Sequence, residues 1–225
     1  GTHRLALEYE TKMLRAEAAA LKCFDLEKSG YNPDIIIIHP GWGEGLFVKV
    51  IWPNAKVLSF FEFYYNTSNS DIDFDKAEDL SELSPFEMST KLISRNTPLL
   101  MSFLQSDKIV CPTKFQANTA PKIFSDKLNI IHDGVDTRKL IREDSAYIEV
   151  SSSVNKALDD DEKIILTKKN KVITFVNRNL EPYRGYHSFM RALPEILEKH
   201  PDAYILIIGG NEVSYGATPP NGQSY

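Results

Sequence analysis

The stretch NPDIIIIHPGWGEG, residues 32–45, decides the fold class. It opens with a Pro-Asp pair, continues as four isoleucines and ends in a loop with glycines at positions 41, 43 and 45. A short, uninterrupted apolar run of this kind is typical of a parallel strand that is covered on both faces. We therefore predict a buried strand at residues 34–38, with a glycine loop at its carboxyl end.

Helix and strand patterns alternate around this stretch. Residues 6–29 are rich in alanine, leucine and glutamate and end before Gly30 and Pro33, which predicts a helix. Similar patterns predict strands at 56–63, 108–111 and 128–132, a longer helix at 86–105, and short helices at 46–52 and 113–120. The repeated order of strand, loop and helix predicts an α/β domain with a doubly wound parallel sheet.

A second, similar unit is predicted near the carboxyl end. KVITFV at 171–176 and AYILIIGG at 203–210 have the composition of buried strands, and an amphipathic helix pattern begins at Gly185. Between 137 and 170 the periodicity is lost and Ser, Asp and Lys are frequent. We therefore predict an amino-terminal Rossmann-like domain at 1–136, a linker (or a linker with one helix) at 137–170, and the start of a second Rossmann-like domain at 171–225.

Composition excludes several functional classes. The formal net charge is -5 and the lysines are scattered, so a basic surface for nucleic acid is not expected. No apolar stretch approaches the roughly 20 residues that span a bilayer, and the amino terminus lacks a signal-peptide pattern. We predict a cytoplasmic protein without a transmembrane segment. Cys23 and Cys111 lie far apart in the sequence and are predicted to be free thiols in the core, with no zinc site.

The glycine loop permits two interpretations. Gly41 and Gly43, with Glu62 at the end of the next strand, partly match a dinucleotide fingerprint, which would suit an NAD-dependent oxidoreductase. A full fingerprint needs glycine at position 46, where this chain has Leu46, and the helix that follows is short. The alternative is that the three glycines simply form a tight turn.

The segment DIDFDKAEDLSE, residues 71–82, is strongly acidic. Several of its carboxylates match the ligand spacing of a calcium-binding loop, but Lys76 replaces the glycine that the sharp turn requires. An acidic pair that holds a metal and a nucleotide sugar, as in a different class of transferase, is a further alternative. We predict a solvated acidic loop and no metal site.

The segment VNRNLEPYRG, residues 176–185, is the most informative. Arg178 follows a predicted strand, and Arg184 with Gly185 opens the amphipathic helix. Two guanidinium groups at the end of a strand and the start of a helix suit a diphosphate, because each offers paired N–H donors to phosphate oxygens. The alternative is that both are surface arginines, solvated or paired with Glu181.

The last predicted strand leads into LIIGGNEVSYG, residues 206–216. Gly209 and Gly210 would let a ligand approach the backbone, and Asn211, Glu212 and Tyr215 could make polar contacts to it. A plain turn between a strand and a loop is the alternative.

Taken together, the chain resembles the family 4 retaining glycosyltransferases of the GT-B fold, in which two Rossmann-like domains bind a nucleotide sugar. The resemblance rests on HPGWGE, FFEFYY, CPTKFQ, IIHDGVDT, VNRNLEPYRG and the IIGG…YG loop, in that order. It implies transfer of a hexose from a nucleotide-diphosphate sugar to a sugar or lipid-linked acceptor, with retention of configuration, in polysaccharide biosynthesis. It also implies no metal and no cofactor, and it leaves oligomeric state and peripheral membrane contact open. A non-catalytic binding module is the non-enzymatic alternative.

The resemblance also implies roles for individual residues. Arg178 and Arg184 correspond to the basic pair that binds the donor diphosphate, and His39 and Glu44 are catalytic candidates that contact the sugar or the acceptor. A core or turn-capping role is the alternative for His39. The remaining residues predicted to line the donor or acceptor cleft are Gly41, Gly43, Glu62, Gln116, Gly209, Gly210, Asn211 and Tyr215.

Two departures from the family pattern concern the ends of the chain. The family's acidic motif, two glutamates eight positions apart, is expected beyond Gly210, and its first strands are expected before the opening helix. The resemblance therefore predicts a fragment in which both sheets are incomplete and their exposed edges need cover.

Overall fold

The structure is a computed structural model that describes residues 1–70, 72–73, 83–151, 159 and 162–215. The chain divides into two compact units, Gly1–Gly134 and Val135–Tyr225. Apart from Ile72 and Asp73, the acidic segment predicted to be a solvated loop lies outside the described residues.

The first unit alternates helices with parallel strands. Its helices are α1 (Leu7–Lys28), α2 (Val48–Ile51), α3 (Pro85–Gln105) and α4 (Lys114–Thr119). Its strands are β1 (Ile35–Ile38), β2 (Lys56–Phe60), β3 (Lys108–Cys111) and β4 (Leu128–Ile130), preceded by a 3-10 turn at Lys122–Lys127. The strands form one parallel sheet in the order β1-β2-β3-β4. This sheet confirms the predicted α/β fold class.

Helix α3 has strong local signals at its amino terminus. The Ser84 hydroxyl accepts a hydrogen bond from the backbone N–H of Glu87, whose carboxylate accepts from the backbone N–H of Ser84. Pro85 occupies the first turn, where the absence of an N–H costs nothing. These contacts provide hydrogen-bond partners for backbone N–H groups that have none inside the helix. The helix begins at Pro85, one residue earlier than predicted.

Strand β1 is covered on one face only, so the prediction of a strand buried on both faces was wrong. Ile38 is 6% exposed and packs with Val48 and Val57, whereas Ile35 and Ile37 are 65% and 69% exposed. Successive side chains of a strand point to opposite faces. Among the described residues, apolar packing is confined to the face that carries Ile38. Because all four strand residues are isoleucine, the sequence gives no sign of which face is buried and which is exposed.

The main core of the first unit lies between α3 and the centre of the sheet. Phe61 and Phe103 meet edge to face with ring centroids 5.0 Å apart, and both are fully buried. The other buried members of this cluster are Leu99, Ile109, Cys111 and Phe124. Both cysteines are free thiols, as predicted. Cys111 lies in the core, whereas Cys23 is only half-buried on α1, so the predicted core position was wrong for Cys23.

In the second unit, the described residues form two strand pairs. Strands β5 (Tyr147–Ser151) and β6 (Lys163–Thr167) are antiparallel, whereas β7 (Lys171–Asn179) and β8 (Ala203–Gly210) are parallel. A 3-10 turn at Pro182–Arg184 and helix α5 (Tyr186–Lys199) connect β7 to β8. The β5–β6 pair occupies the segment for which we expected a linker or a linker helix.

None of the helices in the described ranges is long and apolar enough to cross a membrane.

Candidate active site

Three parallel strands of the first unit deliver candidate residues to one edge of the sheet. His39 directly follows β1, Glu62 lies two residues after β2, and Gln116 lies in α4, just after β3. Parallel strands end at the same edge, and in open α/β sheets ligands bind outside these carboxyl ends. The edge therefore contains three of the sequence-predicted candidates of the first unit.

His39 and Glu62 are brought together at this edge. His39 Nε2 lies 3.2 Å from a carboxylate oxygen of Glu62, an ion-pair distance without the alignment of a hydrogen bond. The imidazole also stacks on Trp42, with centroids 4.3 Å apart and planes 27° apart. The His39 side chain is 23% exposed and that of Glu62 is 60% exposed. The Glu62 carboxylate is thus open to a ligand, whereas both ring nitrogens of His39 are buried and have no hydrogen-bond partner among the described residues.

The glycines of the opening loop pack against their own chain. Gly43 has a φ of +99°, and a Cβ atom added there would lie 2.4 Å from the backbone oxygen of Lys12 in α1. A Cβ at Gly45 would lie 2.7 Å from the Ile38 side chain, and one at Gly41 would lie 3.6 Å from the His39 ring. Close packing alone therefore explains Gly43 and Gly45. A role for Gly41 and Gly43 in ligand binding stays a prediction.

Glu44 is held by helix α1. Its carboxylate lies 3.7 Å from a guanidinium nitrogen of Arg15, and both side chains are about half exposed. Lys12, one turn earlier in α1, has a lowered pKa, because burial and the positive charge of Arg15 both disfavour its ammonium form. His39 and Glu44 therefore contact different residues, Glu62 at the sheet edge and Arg15 on α1.

The segment that carries Glu62 is anchored by two buried polar residues that the sequence analysis missed. The Asn96 side chain accepts from the Tyr65 backbone N–H (3.1 Å) and donates to the Tyr65 carbonyl (2.7 Å). The Thr119 hydroxyl accepts from the Tyr64 N–H at 3.1 Å. Asn96 lies on the buried face of α3, and a polar residue at such a position was the available signal.

Arg95 reinforces the same segment from its exposed side. Its guanidinium lies 3.7 Å from the centroid of the Tyr65 ring and donates to the Tyr65 hydroxyl at 3.0 Å. Arg95 Nε also lies 3.4 Å from the Glu8 carboxylate. The backbone after β2 is consequently tied to α1, α3 and α4, which limits the positions that Glu62 can adopt.

Gln116 takes part in the cap of α4. The Thr113 hydroxyl accepts from the Gln116 backbone N–H at 3.2 Å and donates to its side-chain oxygen at 2.7 Å. These bonds account for the position of Gln116 at the helix start. Its predicted contact with a ligand stays a prediction.

In the second unit, Arg178 lies inside a strand, whereas we expected it in a loop. Strand β7 continues to Asn179, with an irregularity in register between Val176 and Asn179. Asn179 pairs with Gly210 of β8, and this pairing extends the strand beyond the apolar run. The Arg178 side chain is exposed at this irregular strand end.

Arg184 lies beside a buried carboxylate. Its Nε atom is 3.8 Å from Glu181, which is fully buried, and its guanidinium carbon is 5.1 Å from the centroid of the Tyr215 ring. The other Glu181 oxygen accepts from the backbone N–H groups of Ser214 (3.0 Å) and Tyr215 (3.2 Å). Glu181 was considered only as a surface partner, yet it joins Arg184 to the segment after β8.

Gly209 and Gly210 end strand β8 and contact β7. A Cβ at Gly209 would lie 2.8 Å from the Leu180 side chain, and one at Gly210 would lie 2.5 Å from the Asn179 side chain. Asn211 and Tyr215 follow with exposed side chains. The two glycines thus permit the close pairing of the strand ends, while their contact with a ligand stays a prediction.

The comparison with known families is informative for the first unit. The sequence profile of the family described as "Glycosyl transferase family 4 group" matches residues 1–140. The chain belongs to this family. No curated protein matches the chain.

The family match covers the whole first unit of this glycosyltransferase. The matched range includes the His39–Glu62 pair and the whole parallel sheet. Arg178 and Arg184 lie outside that range. The family supports glycosyl transfer with a sugar donor and an acceptor, and it gives no support to the oxidoreductase alternative.

Proposed function

We propose that this glycosyltransferase moves a hexose from a nucleotide-diphosphate sugar to a sugar or lipid-linked acceptor, with retention of configuration. The reaction would be a step of polysaccharide biosynthesis in the cytoplasm, with peripheral membrane contact when the acceptor is lipid-linked. Family membership supports the transfer itself. The donor, the acceptor and the stereochemistry are our inference from the residues and the family resemblance.

The observation that carries the donor proposal is the setting of Arg184. Its side chain is 33% exposed and lies next to the buried Glu181 carboxylate, directly before helix α5. Its Nε atom lies 3.8 Å from a Glu181 oxygen, and a guanidinium carries four further N–H donors that could meet phosphate oxygens. Arg178 adds a second positive charge at the end of β7. We infer that the two arginines bind the donor diphosphate.

The same charges supply the electrostatic part of the reaction. When the bond between the sugar and the diphosphate breaks, negative charge accumulates on the leaving group. Guanidinium groups that are already in place stabilise this charge without reorganisation. We therefore propose that the enzyme needs neither a metal ion nor a cofactor, and that Gly209, Gly210, Asn211 and Tyr215 complete the donor site.

In the first unit, the proposed roles concern the sugar and the acceptor. His39 is the candidate for hydrogen bonding or proton transfer at the reacting sugar, because its ring is held by Trp42 and lies beside Glu62. Glu44 is proposed to contact the acceptor. Gly41, Gly43 and Gln116 are proposed to line the same edge of the sheet.

Titration with UDP and with GDP tests the donor proposal. We expect isothermal titration calorimetry to detect at least one of them, with affinity reduced about tenfold or more in Arg184→Ala, because a charge-assisted pair is lost. Arg178→Ala should show a smaller loss.

Arg142→Ala is the matched control, since Arg142 is an exposed arginine of the same unit that pairs only with Asp144 among the described residues. It should bind like the parent chain. Nucleotide affinity that is unchanged in both Arg178→Ala and Arg184→Ala would exclude the diphosphate role and favour a non-catalytic binding module.

A further inference from the structure

Helix α1 presents a row of three exposed leucines. Leu7, Leu14 and Leu21 follow one another at intervals of seven residues and are 58%, 63% and 62% exposed. Residues seven apart lie on the same face of a helix, two turns apart. Ala16, on the opposite side of α1, is fully buried. The leucine stripe (Leu7, Leu14 and Leu21) is therefore the outer face of a helix that packs on its own domain through the other side.

A groove beside the stripe enlarges this apolar surface. It has a volume of about 540 Å³ and lies between α1 and α2. Leu14, Leu21 and Phe24 line the groove from α1, and Val50, which is 79% exposed, lines it from α2. A contiguous exposed apolar surface of this kind is typical of a protein–protein interface.

The spacing of the leucines is that of a coiled-coil helix. With the leucines at the d positions of a heptad, the a positions hold Thr11, Ala18 and Asp25. Thr11 and Ala18 are small, which lets a second helix approach closely at these points. Asp25 lies in the last turn of α1, after the last leucine, so the apolar seam ends there.

The two edges of the stripe carry opposite charges. The g positions hold Glu10 and Glu17, on the groove side, and the e positions five residues later hold Arg15 and Lys22. In a parallel pair of helices, each g residue faces the e residue five positions further along the partner. Both acids would then meet a base, whereas an antiparallel pair would place edges of like charge together. Helix α1 is consequently complementary to a parallel copy of itself.

Glu17 and Lys22 are the pair on which this complementarity chiefly depends. Both side chains are exposed, and neither forms an ion pair within the part of the chain that the structure describes. Arg15, by contrast, already lies 3.7 Å from Glu44. In a two-fold symmetric dimer every contact between two different residues forms twice. A contact of Glu17 with Lys22 would therefore contribute on both sides of the axis.

We propose that the leucine stripe of α1 binds the same stripe of a second copy of this chain. The two helices form a parallel coiled coil in which Glu17 faces the partner's Lys22. The aliphatic stem of that lysine lies over the groove between α1 and α2, and its ammonium group meets the acidic edge. The pairing requires neither a donor nor an acceptor, so it is independent of the proposed function.

Sedimentation equilibrium of the whole chain at about 100 µM measures the pairing. We expect twice the chain mass of 25.5 kDa. Leu14→Glu should give a monomer, because it would bring two carboxylates together in the apolar seam. Ile93→Glu, at a similarly exposed apolar position of α3, is the matched control and should stay dimeric. Circular dichroism checks that both variants are folded.

Charge reversal tests the register and the identity of the partner. Glu17→Lys and Lys22→Glu should each weaken pairing about tenfold or more, because attraction becomes repulsion on both sides of the axis. An equimolar mixture of the two variants should pair like the parent chain, since each charge then meets its opposite. A monomeric parent chain, a dimer that survives Leu14→Glu, or a mixture that pairs no better than either variant would overturn the proposal.

Discussion

At the scale of single residues, Asp107 makes stability depend on pH. Its carboxylate accepts from the Val57 backbone N–H at 2.9 Å and lies 3.0 Å from the Lys49 ammonium and 3.3 Å from that of Lys56. The backbone hydrogen bond, followed by the lysine contacts, holds the pKa of Asp107 well below its ordinary value. The ionised carboxylate therefore links β2 to the turn before β3.

We expect the ionised Asp107 carboxylate to stabilise the fold fully above the ordinary aspartate pKa of about 4. This stabilisation should decline as the pH falls toward the pKa of Asp107 in the folded state. Asp107→Asn should lower stability at neutral pH and flatten the decline between about pH 5 and about pH 2. Urea unfolding midpoints measured across this range check the prediction. Asp126→Asn, an exposed change in the same unit, is the control and should leave the pH dependence unchanged. The prediction would be contradicted if the midpoints of Asp107→Asn and of the parent chain changed with pH in parallel.

Gly43 is the residue at which a side chain should be least tolerated. Both its positive φ and the 2.4 Å approach of the Lys12 carbonyl oppose a Cβ. Gly43→Ala is expected to destabilise the first unit by about 3 kcal/mol or more, because a backbone atom cannot move aside cheaply.

Gly30→Ala is the matched control for that change. Gly30 has a similar φ of +90°, but a Cβ there would meet no atom within 4 Å. Gly30→Ala should lower stability by only about 1–2 kcal/mol, because the positive φ is unfavourable for alanine but no neighbouring atom clashes with the added Cβ. Equal losses of stability in thermal unfolding would mean that the contact with α1 contributes nothing.

At the scale of elements, Lys127 closes the carboxyl end of α3. Its ammonium donates to the carbonyls of Phe103 (3.2 Å), Leu104 (3.0 Å) and Ser106 (2.7 Å). A cation at a helix carboxyl end also interacts favourably with the helix dipole. We expect Lys127→Met to cost about 1–3 kcal/mol in chemical denaturation. Lys122→Met, at an exposed position of the same 3-10 turn, should cost less than about 0.5 kcal/mol.

Elements with strong local signals could be predicted from the sequence. β1, β2, β3 and β8 are apolar runs, and their observed bounds lie close to the predicted ones. The β5–β6 pair was missed because its signal is weak. Of the residues in these two strands, only Val150 and Leu166 are buried, and the longest apolar run is the short stretch at 164–166, within a polar region.

The site was only partly predictable. His39 and Glu62 follow strands that could be assigned, and parallel strands bring their ends together. The partners that position the candidates could not be inferred in the same way. Asn96 contacts Tyr65 across 31 positions, and Glu181 contacts Ser214 across 33. Such long-range polar contacts leave no periodic pattern in the chain.

At the scale of the whole molecule, the two units support the proposed function to different degrees. The first unit has the family match and the paired residues His39 and Glu62. The second unit has the arginines, one of which is placed by a buried glutamate and an aromatic ring. Glycosyl transfer requires both units to be functional. A chain that binds a sugar through the first unit but does not bind a diphosphate would be a lectin-like module and not an enzyme.

The most direct test is to incubate the chain with UDP- and GDP-hexoses and follow the anomeric protons by NMR. The account predicts consumption of one donor, release of product with the donor's anomeric configuration, and a loss of about tenfold or more in rate for Arg184→Ala but not for Arg142→Ala. Product of inverted configuration, or turnover that is unchanged in both Arg178→Ala and Arg184→Ala, would contradict it.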